Sequence, residues 1–341
     1  MKIRFPAEWE EQDGILLAWP HADTDWAPLL AAVEPVFVRI ATEVSYREQV
    51  LIIVPEAAPV RSALDKSGAD AGRVMIVELP TNDTWARDFG PLTIYEEDRP
   101  VLLDFGFNGW GLKFASDQDN QATRRLARLG VWGTTPCRSV GLVLEGGSVE
   151  SDGQGTLLTT TACLLGPNRN PHLERQAVAH ELSLRLGGEH LLWLENGYLA
   201  GDDTDSHVDT LARLVPDDAI LHVACTDPAD EHFPALERMA GELRAFRTRA
   251  GLPYRLLALP WPQAKFDEAG GRLPATYANY LVINGAVLVP TYNDPADDQA
   301  LAVIGAAFPG REAIGIDCTP LIFQHGSLHC VTMQLPKGVL A

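Results

Sequence analysis

Short apolar runs of strand length alternate with segments of helix length along the whole chain, and this alternation restricts the fold most. Several runs are rich in β-branched residues, which is typical of strands. The segments between them place apolar residues three and four positions apart, and several end at glycine, as amphipathic helices do. This order predicts an α/β protein. We expect strands at 14–19, 50–54, 74–79, 101–105, 156–160, 209–215, 219–225 and 280–289, and helices at 29–46, 120–129, 173–186, 235–250 and 298–308.

Nothing in the sequence divides the 341 residues into separate units. The 24 prolines and 29 glycines form short clusters between the expected elements, for example at 166–167 and 270–271. Such clusters are typical of turns rather than of a linker between domains. We therefore expect a single domain over residues 1–341.

The charge of the chain excludes some classes of partner. With 27 Lys and Arg against 46 Asp and Glu, the net charge is −19. Such a surface repels nucleic acid and anionic lipid and attracts cations. No apolar run approaches the ~18 residues of a membrane span, and residues 1–11 lack an apolar signal core. We expect a cytoplasmic protein without nucleic-acid or membrane partners, and a homo-oligomer stays open.

The five cysteines are Cys137, Cys163, Cys225, Cys318 and Cys330. Their number is odd and no two have C-x-x-C spacing, which disfavours a disulfide framework or a cysteine-rich zinc site. Most of them are expected to be buried as small apolar residues.

Four polar segments stand at the ends or starts of expected strands, where α/β folds place their binding sites. They cover residues 81–91, 144–148, 201–209 and 324–332. Each member has an ordinary structural explanation when taken alone, such as turn capping for an aspartate or core packing for a cysteine. Their joint occurrence favours one functional site. The candidate residues are Trp85, Asp88, Glu145, His207, Asp209 and Cys330.

These side chains suit the hydrolysis of a guanidine group. A guanidinium is planar and permanently charged, and two carboxylates such as Asp88 and Asp209 can hold its forked N–H groups. Its carbon is a poor electrophile, so a strong nucleophile such as the thiolate of Cys330 is required.

The remaining candidates have supporting roles in this hypothesis. As an imidazolium, His207 would protonate the departing ammonia and afterwards, when neutral, activate water. We expect Glu145 to hydrogen-bond His207, and Trp85 to pack or to stack on the cation. On an extended segment, His207 and Asp209 would point to one face. The chemistry requires no metal and no organic cofactor.

Several motifs carry a resemblance to a known family. Residues 85–91 are similar to a W-x-R-D-x-G-P motif, and 145–147 to an E-G-G motif. Residues 204–209 are similar to T-D-G-H-V-D, with Ser206 in place of a common glycine, and His329-Cys330 to a terminal catalytic motif. With residues 5–10 and 17–20, these segments resemble the agmatine deiminase family. That family is a branch of the guanidine-modifying superfamily that includes bacterial-type peptidylarginine deiminases.

The resemblance implies a fold and a reaction. The fold would be a five-bladed α/β propeller of ββαβ units with the active site at its central channel. Agmatine would be converted to N-carbamoylputrescine and ammonia, a step in putrescine formation. Cys330 would be the nucleophile and His207 the acid and base. Asp88 and Asp209 would bind the guanidinium, with support from Glu145.

One departure leaves alternatives open. Family members often carry G-G-G-N-I-H-C, whereas this chain has H-G-S-L-H-C at 325–330, where His325 is interpreted as a turn residue or a substrate contact. The acidic loop 202–205 is either a solvated turn or a site that attracts the distal amine. A peptidylarginine deiminase, a deiminase of another small guanidine and a non-catalytic small-cation binding protein remain as alternatives. A papain-like protease has its nucleophile before its histidine, and a zinc hydrolase on His207 and Asp209 lacks a third ligand at motif spacing.

Overall fold

The computed structural model describes residues 2–340, and strands and helices alternate along them. The mixed α/β class expected from the sequence is confirmed. The strands are β1 (Ile3–Arg4), β2 (Gln12–Ala18), β3 (Gln49–Val54), β4 (Val74–Glu78), β5 (Leu92–Glu96), β6 (Arg99–Gly106), β7 (Cys137–Val143), β8 (Val149–Ser151), β9 (Thr156–Thr160), β10 (His190–Leu194), β11 (Ala212–Val215), β12 (Ala219–Val223), β13 (Arg255–Leu259), β14 (Lys265–Phe266), β15 (Arg272–Leu273), β16 (Leu281–Ile283), β17 (Ala286–Thr291), β18 (Glu312–Asp317) and β19 (Thr332–Pro336). The helices are α1 (Leu30–Ser45), α2 (Ala57–Ser67), α3 (Ala86–Phe89), α4 (Gly109–Leu112), α5 (Ala122–Arg128), α6 (Thr161–Leu164), α7 (Arg175–Leu186), α8 (Phe233–Ala245) and α9 (Asp297–Ala307).

Five sheets share one connectivity. In each, an antiparallel pair is extended by a parallel strand, and a helix lies in the chain between the last two strands, because parallel neighbours need a crossover. The trios are β19-β2-β3, β5-β6-β7, β8-β9-β10, β11-β12-β13 and β16-β17-β18. Strand β4 extends the first sheet, β1 extends the second, and β14 and β15 form a separate hairpin. The strand–strand–helix–strand unit named in the resemblance is therefore present.

The core follows from the apolar runs that predicted the strands. Ile15, Leu16 and Leu17 of β2 are all fully buried, as expected for a sheet covered on both faces. Helix α1 buries Val33, Phe37, Ile40 and Val44, a stripe spaced three and four residues apart. Phe37 packs edge-on against Trp19, which directly follows β2.

Several element boundaries differ from the sequence-based expectation. Residues 280–289 form a hairpin rather than one strand, because Asn284-Gly285 makes a turn in which Gly285 has φ +74°. Helix α8 ends at Ala245, since Phe246 is already extended, and it does not reach residue 250. The segment 209–215 begins as a 3-10 turn (Val208–Thr210) before β11 starts. Helix α2 was not expected at all.

Two strands from near the opposite ends of the chain meet in one sheet. Strand β19 pairs antiparallel with β2, so that Thr332 lies opposite Leu17. Val331 directly precedes β19, and Cys330 directly precedes Val331. Across residues 2–340, none of the helices is both long enough and apolar enough to cross a lipid bilayer.

Candidate active site

Gly147 marks the point where three of the four polar segments meet. A Cβ atom built on Gly147 would lie 2.6 Å from His207 Nδ1, 3.0 Å from Asp88 Oδ1 and 3.1 Å from Asp209 Oδ2. Asp88 lies in α3, Gly147 in a short 3-10 turn, and Asp209 in the turn that follows His207. The imidazole and both carboxylates are therefore brought together, and the glycine leaves room for them.

Cys330 joins this group from the loop before β19. Its Sγ lies 3.3 Å from Asn279 Oδ1 and 4.0 Å from Asp209 Oδ2, and its backbone N–H donates to the same Asn279 oxygen at 3.2 Å. The thiol is 5% exposed and lines a cavity that opens to solvent. The fourth segment thus reaches the same site.

The two aspartates have different partners and different acidities. Asp88 accepts hydrogen bonds from the Trp110 indole at 2.9 Å and from the Gly147 N–H at 3.0 Å. Burial raises the pKa of Asp88 well above its ordinary value, and the charge of Asp209 adds to this. Burial also acts to raise the pKa of Asp209, but a 2.7 Å hydrogen bond from His329 Nδ1 brings it below its ordinary value. Their mutual repulsion would be relieved by a bound cation.

Asp209 also keeps one oxygen available. Its Oδ2 accepts from His329 and lies 3.3 Å from Asn279 Nδ2, whereas its buried Oδ1 has no hydrogen-bond partner among the described residues. An unpaired buried carboxylate oxygen costs free energy, so a donor supplied by a ligand would stabilise it.

His207 and Cys330 are both in their neutral forms. Burial lowers the pKa of His207 to about 3. Its Nδ1 lies 3.5 Å from Asp88 Oδ1, and neither ring nitrogen makes a hydrogen bond within residues 2–340. Burial, with the charges of Asp209 and Asp88, raises the pKa of the Cys330 thiol well above its ordinary value. Ionising the thiol therefore requires a positive charge nearby.

Glu145 does not make the hydrogen bond to His207 that we expected. Both of its oxygens accept from Arg169 Nε, at 2.9 and 3.0 Å. Burial raises the pKa of Glu145 despite this guanidinium. Because Arg169 donates to both carboxylate oxygens, Glu145 makes no hydrogen bond to His207 and acts on it only through its charge.

The segment around His207 is also not extended. His207 directly precedes the 3-10 turn Val208–Thr210, and Asp205 and Ser206 before it both have φ +65°. This left-handed backbone favours glycine, which gives a physical reason for glycine in the related motif. His207 and Asp209 face the same site through the turn rather than through strand alternation.

The cavity above Cys330 is acidic. It encloses about 510 Å³, counted out to its open mouth, and neither lysine nor arginine is among its lining residues. Burial raises the pKa of Asp83 to about 6. Four aspartates line the cavity besides Asp88, namely Asp25, Asp83, Asp202 and Asp203.

Trp85 and His325 form part of the same wall. A Cβ on Gly326 would lie 2.2 Å from the Trp85 ring, so the indole packs flat on this glycine. Trp85 also packs on Trp26, with ring centroids 5.7 Å apart. His325 is a left-handed turn residue with φ +68°, as one interpretation predicted, and it also lines the cavity. Its contact with a substrate stays a prediction.

The acidic loop is both a turn and a part of the wall. Asp202 accepts from the backbone N–H groups of Thr204 and Ser206, at 3.1 and 2.7 Å, as a turn-forming aspartate does. Asp205 faces away, to Lys113 and Arg169 at 2.7 Å each. Asp203 remains with its carboxylate at the mouth of the cavity.

Sequence reasoning assigned no role to four residues that hold the site together: Glu8, Trp110, Asn279 and His329. Glu8 and His329 entered it only as members of motifs. Trp110 has a left-handed backbone (φ +54°) between Gly109 and Gly111, and this glycine pattern was the only local signal. His329 Nε2 lies 2.7 Å from Glu8 Oε1, a contact between residues 321 positions apart. No sequence spacing indicates such a contact.

Comparison with known proteins places this arrangement in a family. The family model of Porphyromonas-type peptidyl-arginine deiminases matches residues 4–336. The chain belongs to this family. An agmatine deiminase of Pseudomonas aeruginosa (strain LESB58) is 31% identical, and the match covers 98% of this chain and 95% of that relative. The resemblance inferred from the motifs is thereby confirmed.

Solved structures of family members superpose closely. A C. jejuni agmatine deiminase variant with substrate bound is 38% identical, with a TM-score of 0.91 over 99% of this chain and 97% of that one. A Porphyromonas gingivalis protein described as a candidate arginine deiminase is 50% identical, with a TM-score of 0.94 over 99% of both chains. An amidinotransferase from Microseira wollei, 10% identical with a TM-score of 0.52, shares the fold alone.

Proposed function

We propose that this chain is an agmatine deiminase, which hydrolyses agmatine to N-carbamoylputrescine and ammonia. The observation that carries the proposal is the charge of the cavity leading to Cys330, which aspartates line without any lysine or arginine. Agmatine carries a guanidinium at one end and an ammonium at the other, so both ends suit such a wall. The P. aeruginosa and C. jejuni relatives named as agmatine deiminases support this choice.

Free arginine suits the cavity less well. Its α-carboxylate would face Asp25, Asp83 and Asp203 without a cationic partner. Like charges in a partly dry pocket disfavour binding. An arginyl peptide has no such carboxylate, so a peptidylarginine deiminase is the second candidate, favoured by the family description.

The proposed chemistry begins with two neutral groups. A guanidinium held between Asp88 and Asp209 lowers the pKa of Cys330, which passes its proton to neutral His207 and attacks the guanidinium carbon. The imidazolium then protonates the departing ammonia as the tetrahedral adduct collapses to a thiouronium. Neutral His207 next deprotonates a water, which attacks the same carbon, and the thiol is released with the urea product. Metal and organic cofactors have no part in this scheme.

The supporting residues act on charge and position. Glu145 and Arg169 form a buried ion pair behind His207, and Trp85 holds the cavity wall against Gly326. We also propose that residues 1–341 are a single catalytic domain in which the five ββαβ units form the blades of a propeller. The segments that precede β5, β8 and β11, strands of three separate sheets, meet at Gly147 and support this arrangement. A cytoplasmic location and a role in putrescine formation stay predictions.

One assay separates the candidates. Ammonia release is measured side by side with agmatine, free arginine and an arginyl peptide, using the wild type, Cys330→Ser and, as a control, Cys137→Ser. We expect turnover of agmatine, very little of arginine, and loss of turnover only in Cys330→Ser. Preference for the arginyl peptide would support the second candidate, and full activity in Cys330→Ser would exclude the mechanism.

A further inference from the structure

We propose that Glu145, Cys163 and His207 form a buried binding site for a thiophilic divalent cation such as Zn²⁺, and that the bound ion inhibits the enzyme by withholding His207. Only the inhibition rests on the proposed function. Binding of the ion follows from the three side chains themselves and can be measured without turnover.

The three side chains offer a compact set of ligand atoms. One carboxylate oxygen, the Cys163 sulfur and one His207 ring nitrogen all lie within 4.8 Å of one another. All three residues are fully buried. Zn²⁺ binds sulfur at about 2.3 Å and nitrogen or oxygen at about 2.0–2.2 Å, so tetrahedral ligands stand roughly 3.3–3.7 Å apart. Small side-chain rotations would bring these atoms to that spacing.

His207 supplies an independent indication of a ligand. Its two ring nitrogens are buried without a hydrogen-bond partner in the part of the chain that the structure describes. Unpaired buried polar atoms destabilise the fold, so a ligand that binds one of them would offset that cost. An imidazole nitrogen without a proton is the form that binds metal, and these buried, unpaired nitrogens are the atoms that would do so.

Cys163 has no part in the proposed catalysis. Its backbone N–H is held by the Thr160 hydroxyl at 3.4 Å, which fixes the residue at the start of α6. A sulfur ligand favours zinc or another soft ion over Mg²⁺ and Ca²⁺. The incoming ion displaces the thiol proton to solvent as the metal–sulfur bond forms.

Arg169 limits the affinity rather than preventing binding. A carboxylate has about four lone-pair positions, and the Arg169 Nε–H uses only the side of Glu145 that faces it. The positive guanidinium still repels a dication at this range. The site should therefore bind Zn²⁺ more weakly than a structural zinc site does, with the fourth position taken by water.

Metal titration of the purified full-length protein tests the proposal. Wild type, Cys163→Ser and the control Cys225→Ser are titrated with Co²⁺, and a sulfur-to-cobalt absorption band is followed. Zn²⁺ affinity and the inhibition of ammonia release are measured in parallel. We expect one ion per chain in the wild type and in Cys225→Ser. Cys163→Ser should lose the band and bind Zn²⁺ roughly 10–100-fold more weakly.

Two further outcomes decide the remaining cases. A band that persists in Cys163→Ser but vanishes in Cys330→Ser would place the ion on the nucleophile and overturn the proposal. If Cys163→Ser does not fold, X-ray absorption of the zinc-loaded wild type decides instead. One sulfur at about 2.3 Å with nitrogen or oxygen neighbours at about 2.0–2.2 Å, together with protection of Cys163 from alkylation, would support the site. A zinc coordination shell without sulfur would overturn the proposal.

Absence of agmatine turnover would remove the proposed function but leave the metal titration unchanged.

Discussion

A single missing side chain at Gly147 keeps the imidazole and the two aspartates within reach of one ligand. Gly147→Ala places a methyl group 2.6 Å from His207 Nδ1 and 3.0 Å from Asp88 Oδ1. We expect kcat/KM to fall by about 100-fold, since displacements of about 1 Å at reacting groups have effects of this size. Steady-state kinetics of ammonia release measure the change.

Gly141→Ala is the matched control for this substitution. A Cβ on Gly141 meets no atom within 4 Å, so its kinetics should match those of the wild type. If both variants lost activity equally, contact with the site would not be the cause.

The Cys330 thiol should ionise only at high pH in the free enzyme. Burial and the charges of Asp209 and Asp88 raise its pKa, so the thiolate is rare at neutral pH. Alkylation of Cys330, followed by peptide mass spectrometry across pH, should have a midpoint above that of N-acetylcysteine. A midpoint below pH 8 would mean that another group stabilises the thiolate before substrate binds.

At the scale of elements, the β16–β17 turn is tied to the first sheet through a buried carboxylate. Glu48, directly before β3, accepts the Asn284 N–H at 2.8 Å, while its other oxygen is buried without a partner among residues 2–340. Asn284 also donates to the Gln12 carbonyl at 2.7 Å. Two sheets that are distant along the chain are thus held together at one turn.

This carboxyl group makes the stability depend on pH. Burial raises the pKa of Glu48 from 4.5 to about 8, so the folded state holds the proton more tightly than the unfolded state. The stabilisation is full below pH 4.5 and is lost as pH rises through about 8. Relative to Glu48→Gln, the wild type should lose at most about 4 kcal/mol of unfolding free energy between pH 5 and 8, at 1.36 kcal/mol per pKa unit.

Urea unfolding at several pH values measures this difference. Glu56→Gln, at an exposed position, is the control and should run parallel to the wild type. Parallel curves for Glu48→Gln and the wild type would show that Glu48 ionises freely in the folded protein.

Elements and motif residues were predictable from sequence because their signals are local. The apolar runs of β2, β3 and β9 and the glycine after α7 lie within a few positions of the structure they cause. Partners distant in sequence were not predictable. Glu145 was expected to hydrogen-bond His207, but its carboxylate accepts from Arg169 instead, a residue 24 positions further along the chain. The choice between two such partners depends on packing, which no periodicity records.

At the scale of the whole molecule, one carboxylate from the N-terminal segment links several sheets. Glu8 pairs with Arg213 of β11, lies 3.2 Å from Arg87 of α3, and is 2.7 Å from His329 Nε2. Burial alone would raise the pKa of Glu8, but the two guanidiniums hold it well below its ordinary value. His329, whose Nδ1 hydrogen-bonds to Asp209, is therefore also held by Glu8 at its other ring nitrogen.

Removing this charge should destabilise the fold. Glu8→Gln leaves Arg87 and Arg213 buried with less compensation, and breaking a buried pair costs roughly 3–5 kcal/mol. Urea denaturation measures the loss. In the control Glu11→Gln, an ion pair to Lys337 with both side chains more than 60% exposed is broken, which should change the unfolding free energy very little. Equal losses in the two variants would show that the buried network contributes nothing special.

The pairing of β19 with β2 has a consequence for synthesis. Because translation proceeds from the N-terminus, Asp88, His207 and Asp209 are all made before Cys330, and β2 lacks one neighbour until β19 emerges. The thiol and the strand that closes the first sheet arrive together. Under the proposed mechanism, a nascent or prematurely terminated chain has the carboxylates that bind the cation but lacks the nucleophile. Only a chain that has been translated through β19 could then carry out the reaction.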